Sequence, residues 1–226
     1  MSTLLLALAS PARRDDIGDK LRRDGHEVLE ARHGSEAMRF AGLYEPDLML
    51  LDSDLPDVSG IALCEKLRAA GDNVPIILLI ASGREVDGVL GLRAGADDYL
   101  VQPVRIHELS ARTNAILRRT ARRLAPDDVH TIGAVRVDFR RYTATNGGLP
   151  LKLTAIEFDL LRELTRRRGE VVARDELLAS LWGDAVLPNS RTLDVHVARL
   201  RRKIEADPSH PVHLVTVHSK GYRLAR

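Results

Sequence analysis

Five short apolar runs, each followed by a helix-like pattern, constrain the fold of the first half of this chain more than any other feature. Strands of a parallel sheet give such uninterrupted runs, because helices cover both faces of the sheet. The alternation therefore predicts a five-stranded, parallel, doubly wound α/β domain over residues 1–120. In chain order the expected strands and helices are Thr3–Leu8, Ala12–Asp24, Glu27–Ala31, Ser35–Leu43, Leu48–Leu51, Ile61–Ala70, Pro75–Ile80, Glu85–Ala94, Asp98–Val101 and Ile106–Arg119.

Asp52 follows directly on the third apolar run, at the carboxyl end of the expected strand. Open α/β sheets bind ligands at this edge, and right-handed crossovers bring the ends of strands one, three, four and five to one crevice. A lone carboxylate there is a candidate phosphate acceptor, metal ligand or general base. Its neighbours decide between these roles.

Charge divides the chain into two dissimilar halves. Residues through Arg119 contain 15 Lys and Arg against 19 Asp and Glu, whereas the remainder contains 19 against 13. A basic second half predicts an anionic partner such as nucleic acid, with a merely solvated basic surface as the alternative.

The single cysteine, Cys64, leaves no internal disulfide and fits a reducing compartment. No apolar run approaches the roughly 20 residues that span a bilayer, and the start MSTLLLALAS favours a first strand over a signal peptide. We therefore expect a cytoplasmic protein without membrane contact.

Three stretches, LLDSDLPDVSG, GLRAGADDYL and QPV, stand in order at residues 50–60, 91–100 and 102–104. They resemble the receiver domain of two-component response regulators, which has the flavodoxin-like fold. The resemblance implies that Asp52 occupies the position phosphorylated by a sensor kinase. It also implies three helpers: an acidic pair after strand one for Mg²⁺, a hydroxyl after strand four and a lysine after strand five.

This sequence lacks all three helpers. The matching positions hold Leu8, Ala9 or Ser10 for the acidic pair, Ile80 for the hydroxyl, and Gln102 for the lysine. We therefore predict an atypical receiver whose Asp52 is not phosphorylated, with no metal, no cofactor and no obligatory sensor kinase. The alternative is conventional phospho-control, with Asp54 as a substitute metal ligand.

The resemblance also implies a two-fold dimer through the fourth helix, fifth strand and fifth helix. A small aliphatic patch would lie at its centre, with Asp98 and Arg112 pairing across the axis. Asp97 would be available to Arg118 or Arg119. The matching patch residues are Val89, Leu92 and Ala111.

Residues 121–130 combine basic residues, Pro126 and two aspartates without an apolar period, which predicts a linker. Beyond it, Thr154 and Glu157 form a capping-box pattern before one helix, and Arg174–Trp182 predicts a second. A third helix is expected over Ser190–Glu205. One face of it is an apolar seam and the others are cationic, which suits the major groove of DNA. The seam consists of Leu193, Val197, Leu200 and Ile204.

The motifs LTAIEFDLL, RDELLASLWG, SRTLDVHVARLRRKIE and VTVHSKGYRL resemble the OmpR/PhoB-type winged helix over residues 131–226, an α+β domain. The resemblance implies that Arg199, Arg202 and Lys203 read or flank bases. It implies phosphate contacts from Trp182, Arg191, Thr192, His196 and Tyr222, and a wing carrying His218 and Lys220.

The sequence as a whole predicts a DNA-binding transcriptional regulator that is dimeric without phosphorylation. Double-stranded promoter DNA and a second copy are the expected partners, and RNA polymerase is a further candidate. An enzyme is not expected, because nothing in the sequence pairs with Asp52 as a nucleophile, a base or a metal site. A scaffold acting through the first domain is the remaining alternative.

Overall fold

The computed structural model describes residues 1–121, 129–183 and 190–225, without the side chains of residues 119–121 and 190. The chain divides into two compact units, Met1–Leu117 and Arg118–Arg226. Most of the predicted linker, residues 122–128, lies outside the described residues. Its two ends are ordered structure, because α5 extends through Ala121 and a strand begins at Val129.

The first unit is a five-stranded parallel sheet in the order β2-β1-β3-β4-β5, with a helix after each strand. This confirms the predicted doubly wound fold. The elements are β1 Thr3–Ala7, α1 Pro11–Arg23, β2 Glu27–Ala31, α2 Gly34–Tyr44, β3 Leu48–Asp52, α3 Gly60–Ala70, β4 Ile76–Ile80, α4 Glu85–Ala94, β5 Asp98–Val101 and α5 Ile106–Ala121.

Alternate residues of the central strands enter two separate cores, one on each face of the sheet. In β3, Met49 and Leu51 pack on one face, while Leu48 and Leu50 pack on the other. All four side chains are fully buried. An uninterrupted apolar run is therefore required at β3, since neither face of this strand meets water.

The second unit combines a four-stranded antiparallel sheet, three helices and a three-stranded sheet of order β10-β12-β11. This is the predicted winged-helix arrangement, and it includes two short strands, β6 and β10. The elements are β6 Val129–Ile132, β7 Val135–Asp138, β8 Thr143–Asn146, β9 Leu149–Pro150, α6 Ala155–Arg166, β10 Val172–Ala173, α7 Arg174–Trp182, α8 Ser190–Ile204, β11 Leu214–Val217 and β12 Gly221–Leu224.

Helix α8 is anchored in the second unit as its apolar period predicts. Leu193, Val197, Leu200 and Ile204 are all buried in the core of this unit. The opposite side of the helix is thereby left for solvent or a partner. None of the helices in the described residues is both long enough and apolar enough to cross a membrane.

Candidate functional sites: the Asp52 crevice and the nucleic-acid interface

The Asp52 carboxylate lies at the carboxyl edge of the sheet, is 2% exposed, and accepts four hydrogen bonds. Arg13 donates two of them, from Nη1 to Oδ1 at 2.9 Å and from Nη2 to Oδ2 at 3.0 Å. Gln102 Nε2 donates to Oδ1 at 2.8 Å, and the backbone amide of Ala9 donates to Oδ2 at 3.1 Å. Each carboxylate oxygen therefore accepts two hydrogen bonds, which fills its acceptor capacity.

Arg13 is the functional residue that the sequence analysis missed. Ser10 caps helix α1, and its hydroxyl accepts the Arg13 amide at 3.5 Å. This cap starts the helix directly after β1, so that a first-turn side chain reaches the end of the neighbouring strand β3. The available signal was a cation, Arg13, four residues after Ala9 and in the first turn of the next helix.

The remaining positions of the predicted degenerate pocket have structural roles. Leu8 and Ile80 are fully buried in the two cores of the first unit. Gly60 lies so close to the crevice that a Cβ there would be 2.2 Å from the Asp52 carbonyl oxygen. The start of α3 therefore packs directly against the end of β3.

Asp54, the alternative metal ligand, forms an ion pair with Arg84. Both of its carboxylate oxygens lie 2.9 Å from Arg84 Nη1, and its side chain is 58% exposed. Arg84 also pairs with Asp87 in α4, so it links the loop after β3 to α4. No cluster of three or more His, Cys, Asp or Glu side chains suited to a metal occurs among the described residues.

The predicted ion pairs of the dimer face form inside one protomer instead. Asp98 accepts from Arg112 Nη1 at 2.8 Å, and both side chains are buried. Asp97 accepts from Arg68 at 3.1 Å and from the Ile76 amide at 2.9 Å. Within one protomer, α5 and α3 thus supply cations to both aspartates, and pairing across a dimer axis stays a prediction.

The surroundings of Arg112 affect its pKa in two opposing ways. Although desolvation lowers its pKa, the carboxylates of Asp98 and Glu108 outweigh that effect and raise it above the ordinary value. Glu108 binds the same guanidinium at 2.8 Å. The pair of Arg112 with Asp98 is therefore a fixed element of the fold.

The three residues predicted for the aliphatic patch differ in exposure. Leu92 is fully buried, so it packs inward, whereas Val89 and Ala111 are half-buried. The apolar side chains that this face does expose are Val86 at 71% and Leu90 at 44%, with Val101 at 37% on β5. The Arg119 side chain lies outside the described residues.

On helix α8, the residues predicted to contact DNA fall into two groups. Arg191 and Arg202 are exposed, and with Asp194 and Ala198 they form the solvent face of the helix. Thr192 and His196 are buried, as is Trp182, whose ring centroid lies 5.7 Å from that of His196. These three belong to the domain core, since α8 packs on α7 along this side.

Arg199 and Lys203 are turned toward a buried glutamate of α6. Glu157 is fully buried and lies 3.4 Å from Arg199 Nη2 and 2.5 Å from Lys203 Nζ. The same carboxylate accepts the Thr154 amide at 2.8 Å, which caps α6. Arg199 is 7% exposed in the structure without DNA, and its role in reading or flanking bases stays a prediction.

Tyr222 lies in β12 and joins the wing sheet to α8. Its hydroxyl donates to Asp194 at 2.5 Å, and Arg174 Nη1 donates to the same hydroxyl at 3.1 Å. Burial, followed by the hydrogen bond to Asp194, raises the pKa of Tyr222 to about 12. Because Tyr222 is 4% exposed, this residue positions Asp194 rather than presenting its own ring.

The hairpin after β11 presents His218, Ser219 and Lys220 to solvent. Ser219 has a φ of 60°, a left-handed conformation typical of a tight hairpin turn. Arg223 on β12 is also exposed. The wing therefore presents two exposed cations, Lys220 and Arg223, in addition to the exposed arginines of α8.

A parallel receiver fold followed by a winged helix defines a DNA-binding response regulator. Residues 9–114 match the family described as Response regulator receiver domain, and residues 148–224 match Transcriptional regulatory protein, C terminal. The chain belongs to the OmpR/PhoB-type response regulator family, whose members bind DNA and regulate transcription.

Characterised relatives span nearly the whole chain. It is 41% identical to the sensory transduction protein RegX3 of Mycolicibacterium smegmatis, with 99% of each chain covered. It is 40% identical to the transcriptional regulatory protein AfsQ1 of Streptomyces coelicolor, covering 99% of this chain and 98% of that one. The DNA-binding response regulator MtrA of M. smegmatis is 41% identical over 90% of this chain and 88% of its own.

Solved structures agree with this assignment. A C128D mutant of RitR is 25% identical, with a TM-score of 0.82 over 99% of each chain. DrrB, an OmpR/PhoB homologue of Thermotoga maritima, is 26% identical, with a TM-score of 0.53 over the full length of both chains.

Proposed function

We propose that this DNA-binding response regulator controls transcription without phosphorylation of Asp52. The observation that carries the proposal is the set of four donors on the Asp52 carboxylate, two of which come from Arg13. To accept a phosphoryl group, an oxygen of Asp52 would attack phosphorus with a lone pair. Hydrogen bonds to both oxygens stabilise the carboxylate and so lower its nucleophilicity.

The cation requirement of phosphoryl transfer points the same way. Mg²⁺ binds through several oxygen ligands, and here the positions of the acidic pair hold Leu8 and Ala9. Asp54, the substitute ligand of the alternative hypothesis, is already paired with Arg84. Arg13 supplies the positive charge that balances Asp52, so the carboxylate is neutralised without a metal.

The receiver face formed by α4, β5 and α5 is the proposed dimer interface. Its support is the exposure of Val86 and Leu90, one turn apart on α4, and of Val101 on the neighbouring β5, since a contiguous exposed apolar surface often marks an interaction site. A two-fold interface uses the same residues twice, so a small patch contributes from both copies. Dimerisation would place two α8 helices on successive major grooves of promoter DNA, about 10–11 bp apart. RNA polymerase is the further proposed partner.

Intact-mass measurement after incubation with Mg²⁺ and acetyl phosphate or phosphoramidate tests phosphorylation directly. We expect no gain of a phosphoryl group in the full-length protein, while a conventional response regulator in the same reaction is modified. A mass gain that disappears in Asp52→Ala would overturn the proposal and favour conventional control.

Sequencing of DNA selected by the purified protein without a phosphodonor tests the rest. We expect enrichment of a repeated motif with half-sites one helical turn apart. Analytical ultracentrifugation at micromolar concentration should show a dimer, and Val86→Glu with Leu90→Glu should give monomers. Leu43→Glu is the matched control, because Leu43 is an exposed leucine on α2. A wild-type monomer would contradict the dimer proposal and leave the phosphorylation test unaffected.

A further inference from the structure

A polar pocket lies beside the edge strand β2 of the receiver unit and shares no lining residue with the Asp52 crevice. It has a volume of about 730 Å³, which is within the usual range for small-molecule sites. All of its lining side chains are polar or charged, and three of them are arginines. The lining consists of Arg14, Glu30, Arg32, His33, Ser35, Glu36 and Arg39.

The three arginines are not equivalent. Arg14 is 5% exposed and is held in place by the Leu8 carbonyl, 2.7 Å from Nη1. Arg32 and Arg39 are exposed, and within the described part of the chain neither guanidinium has a carboxylate partner. The pocket lining therefore holds one buried arginine and two exposed arginines that form no ion pair among the described residues.

The two glutamates in the lining do not cancel this charge. Glu30 is shared between Arg14, at 3.4 Å from Nε, and Arg22, which lies outside the pocket. Glu36 accepts the backbone amide of Arg32 at 2.8 Å and so fixes the β2–α2 connection. Three arginines against two glutamates leave an excess of one positive charge among the lining side chains.

The start of α2 is not the source of this site. The amides of Ser35 and Gly34 donate to Asp57 at 2.9 and 2.7 Å, so the helix end is already occupied. These hydrogen bonds, with that of Ser35 the strongest, hold the pKa of Asp57 below its usual value. Recognition in the pocket therefore depends on side chains.

We propose that this pocket binds an oligophosphate group, that is, two or three linked phosphoryl groups, either free or on a nucleoside. Guanidinium groups bind phosphate oxygens in a bidentate manner, and three of them in one pocket favour several phosphoryl groups over one. No Phe, Tyr, Trp or aliphatic residue lines the pocket, so its charged side chains favour the phosphate part of a ligand over a base or an acyl chain.

The pocket lies one residue from the Asp52 crevice along α1. Arg14 lines the pocket, whereas Arg13 binds Asp52. An occupant that draws on Arg14 would act on the same helical turn that holds Asp52. The idea that the pocket gives this regulator an input other than phosphorylation rests on the proposed function. Binding of an oligophosphate to the pocket does not depend on that function.

Isothermal titration calorimetry of the full-length protein with pyrophosphate, ADP and orthophosphate tests the proposal. Salt at about 150 mM screens exposed charges more than roughly 8 Å apart and so suppresses diffuse binding. We expect saturable binding of pyrophosphate and ADP with similar affinity, and orthophosphate weaker by about tenfold or more. The double variant Arg32→Ser with Arg39→Ser should weaken pyrophosphate binding about tenfold, because it removes charge-assisted hydrogen bonds to the phosphate oxygens.

Two matched double variants separate this site from general cationic attraction. Arg23→Ser with Arg93→Ser removes exposed arginines elsewhere on the receiver, and Arg191→Ser with Arg202→Ser removes arginines of the DNA-binding helix. Both should retain wild-type affinity, and circular dichroism should show all variants folded. Absence of binding, equal losses in all three variants, or binding of ADP without pyrophosphate would overturn the assignment.

Discussion

Arg13 binds Asp52 through two parallel hydrogen bonds, one to each carboxylate oxygen. The pair brings a cation from the first turn of α1 to the end of β3, where the carboxylate is 2% exposed and the arginine 39%. A carboxylate in this position requires a positive partner, since a buried and uncompensated charge is costly. In this receiver the partner is Arg13 of the same chain. The Asp52 carboxylate therefore has a counter-charge without a bound cation.

Replacing Arg13 with alanine should destabilise the receiver unit by about 1–3 kcal/mol, because a buried carboxylate then loses two of its four donors. Tryptophan fluorescence cannot follow this, since the single tryptophan, Trp182, lies in the second unit. Hydrogen exchange of peptides from β1 and β3 in the full-length protein gives the local free energy of opening.

The matched control for this experiment is Arg23→Ala, which removes an exposed arginine from the same helix. Its effect should stay within about 0.5 kcal/mol. Equal protection of β3 in the two variants would show that the pair between Arg13 and Asp52 contributes nothing to stability.

Glu157→Gln should destabilise the winged-helix unit by about 2–3 kcal/mol, because Lys203 and Arg199 then lose a fully buried counter-charge. Glutamine retains an oxygen for the Thr154 amide, so the helix cap is preserved. Urea unfolding followed by Trp182 fluorescence reports on this unit alone.

Glu163→Gln is the control for the buried glutamate. Glu163 is on the same helix and pairs with the exposed Arg166, so its loss should cost well under 1 kcal/mol. If both glutamine variants unfold at the same urea concentration, the buried cluster is not a stabilising one.

Much of the fold could be predicted because each central strand has to be apolar on both faces. Leu48 to Leu51 can be placed in a doubly wound sheet by that requirement alone. The inward face of helix α4 could not be assigned in the same way, since the helix carries Val86, Val89, Leu90 and Leu92 on several sides. Only packing shows that Leu92 faces inward and that Val86 and Leu90 face outward.

The ionic contacts of the site depended on the tertiary structure. Asp98 and Arg112 are 14 residues apart, and the sequence does not distinguish pairing within a chain from pairing between two chains. Arg13 and Asp52 are 39 residues apart and come together only because β1 and β3 are neighbours in the sheet. The sequence reveals that the usual helpers are missing, whereas the replacement cation appears only in the structure.

Titration of Tyr222 should give a phenol that ionises near pH 12, since burial and the hydrogen bond to Asp194 raise its pKa. A group whose pKa is higher in the folded state contributes stability that is complete below its unfolded value, near pH 10. That contribution should decline as the pH rises from about 10 to 12. Absorbance at alkaline pH measures the ionisation, and the late step should vanish in Tyr222→Phe. A Tyr222→Phe profile identical to wild type would contradict the assignment.

Arg202→Ala should weaken DNA binding nearly uniformly across sequences, because Arg202 lies on the exposed face of α8. If it contacts a phosphate, the slope of log K against log salt should fall by about one per lost contact, which fluorescence anisotropy at several salt concentrations measures. Arg136→Ala is the control, since Arg136 is also exposed but lies on β7.

The buried contact of Arg199 with Glu157 predicts a different result for Arg199→Ala, namely lost stability of the unit with an unchanged salt slope. A loss of slope in Arg199→Ala without loss of stability would instead mean that Arg199 leaves Glu157 to reach the DNA.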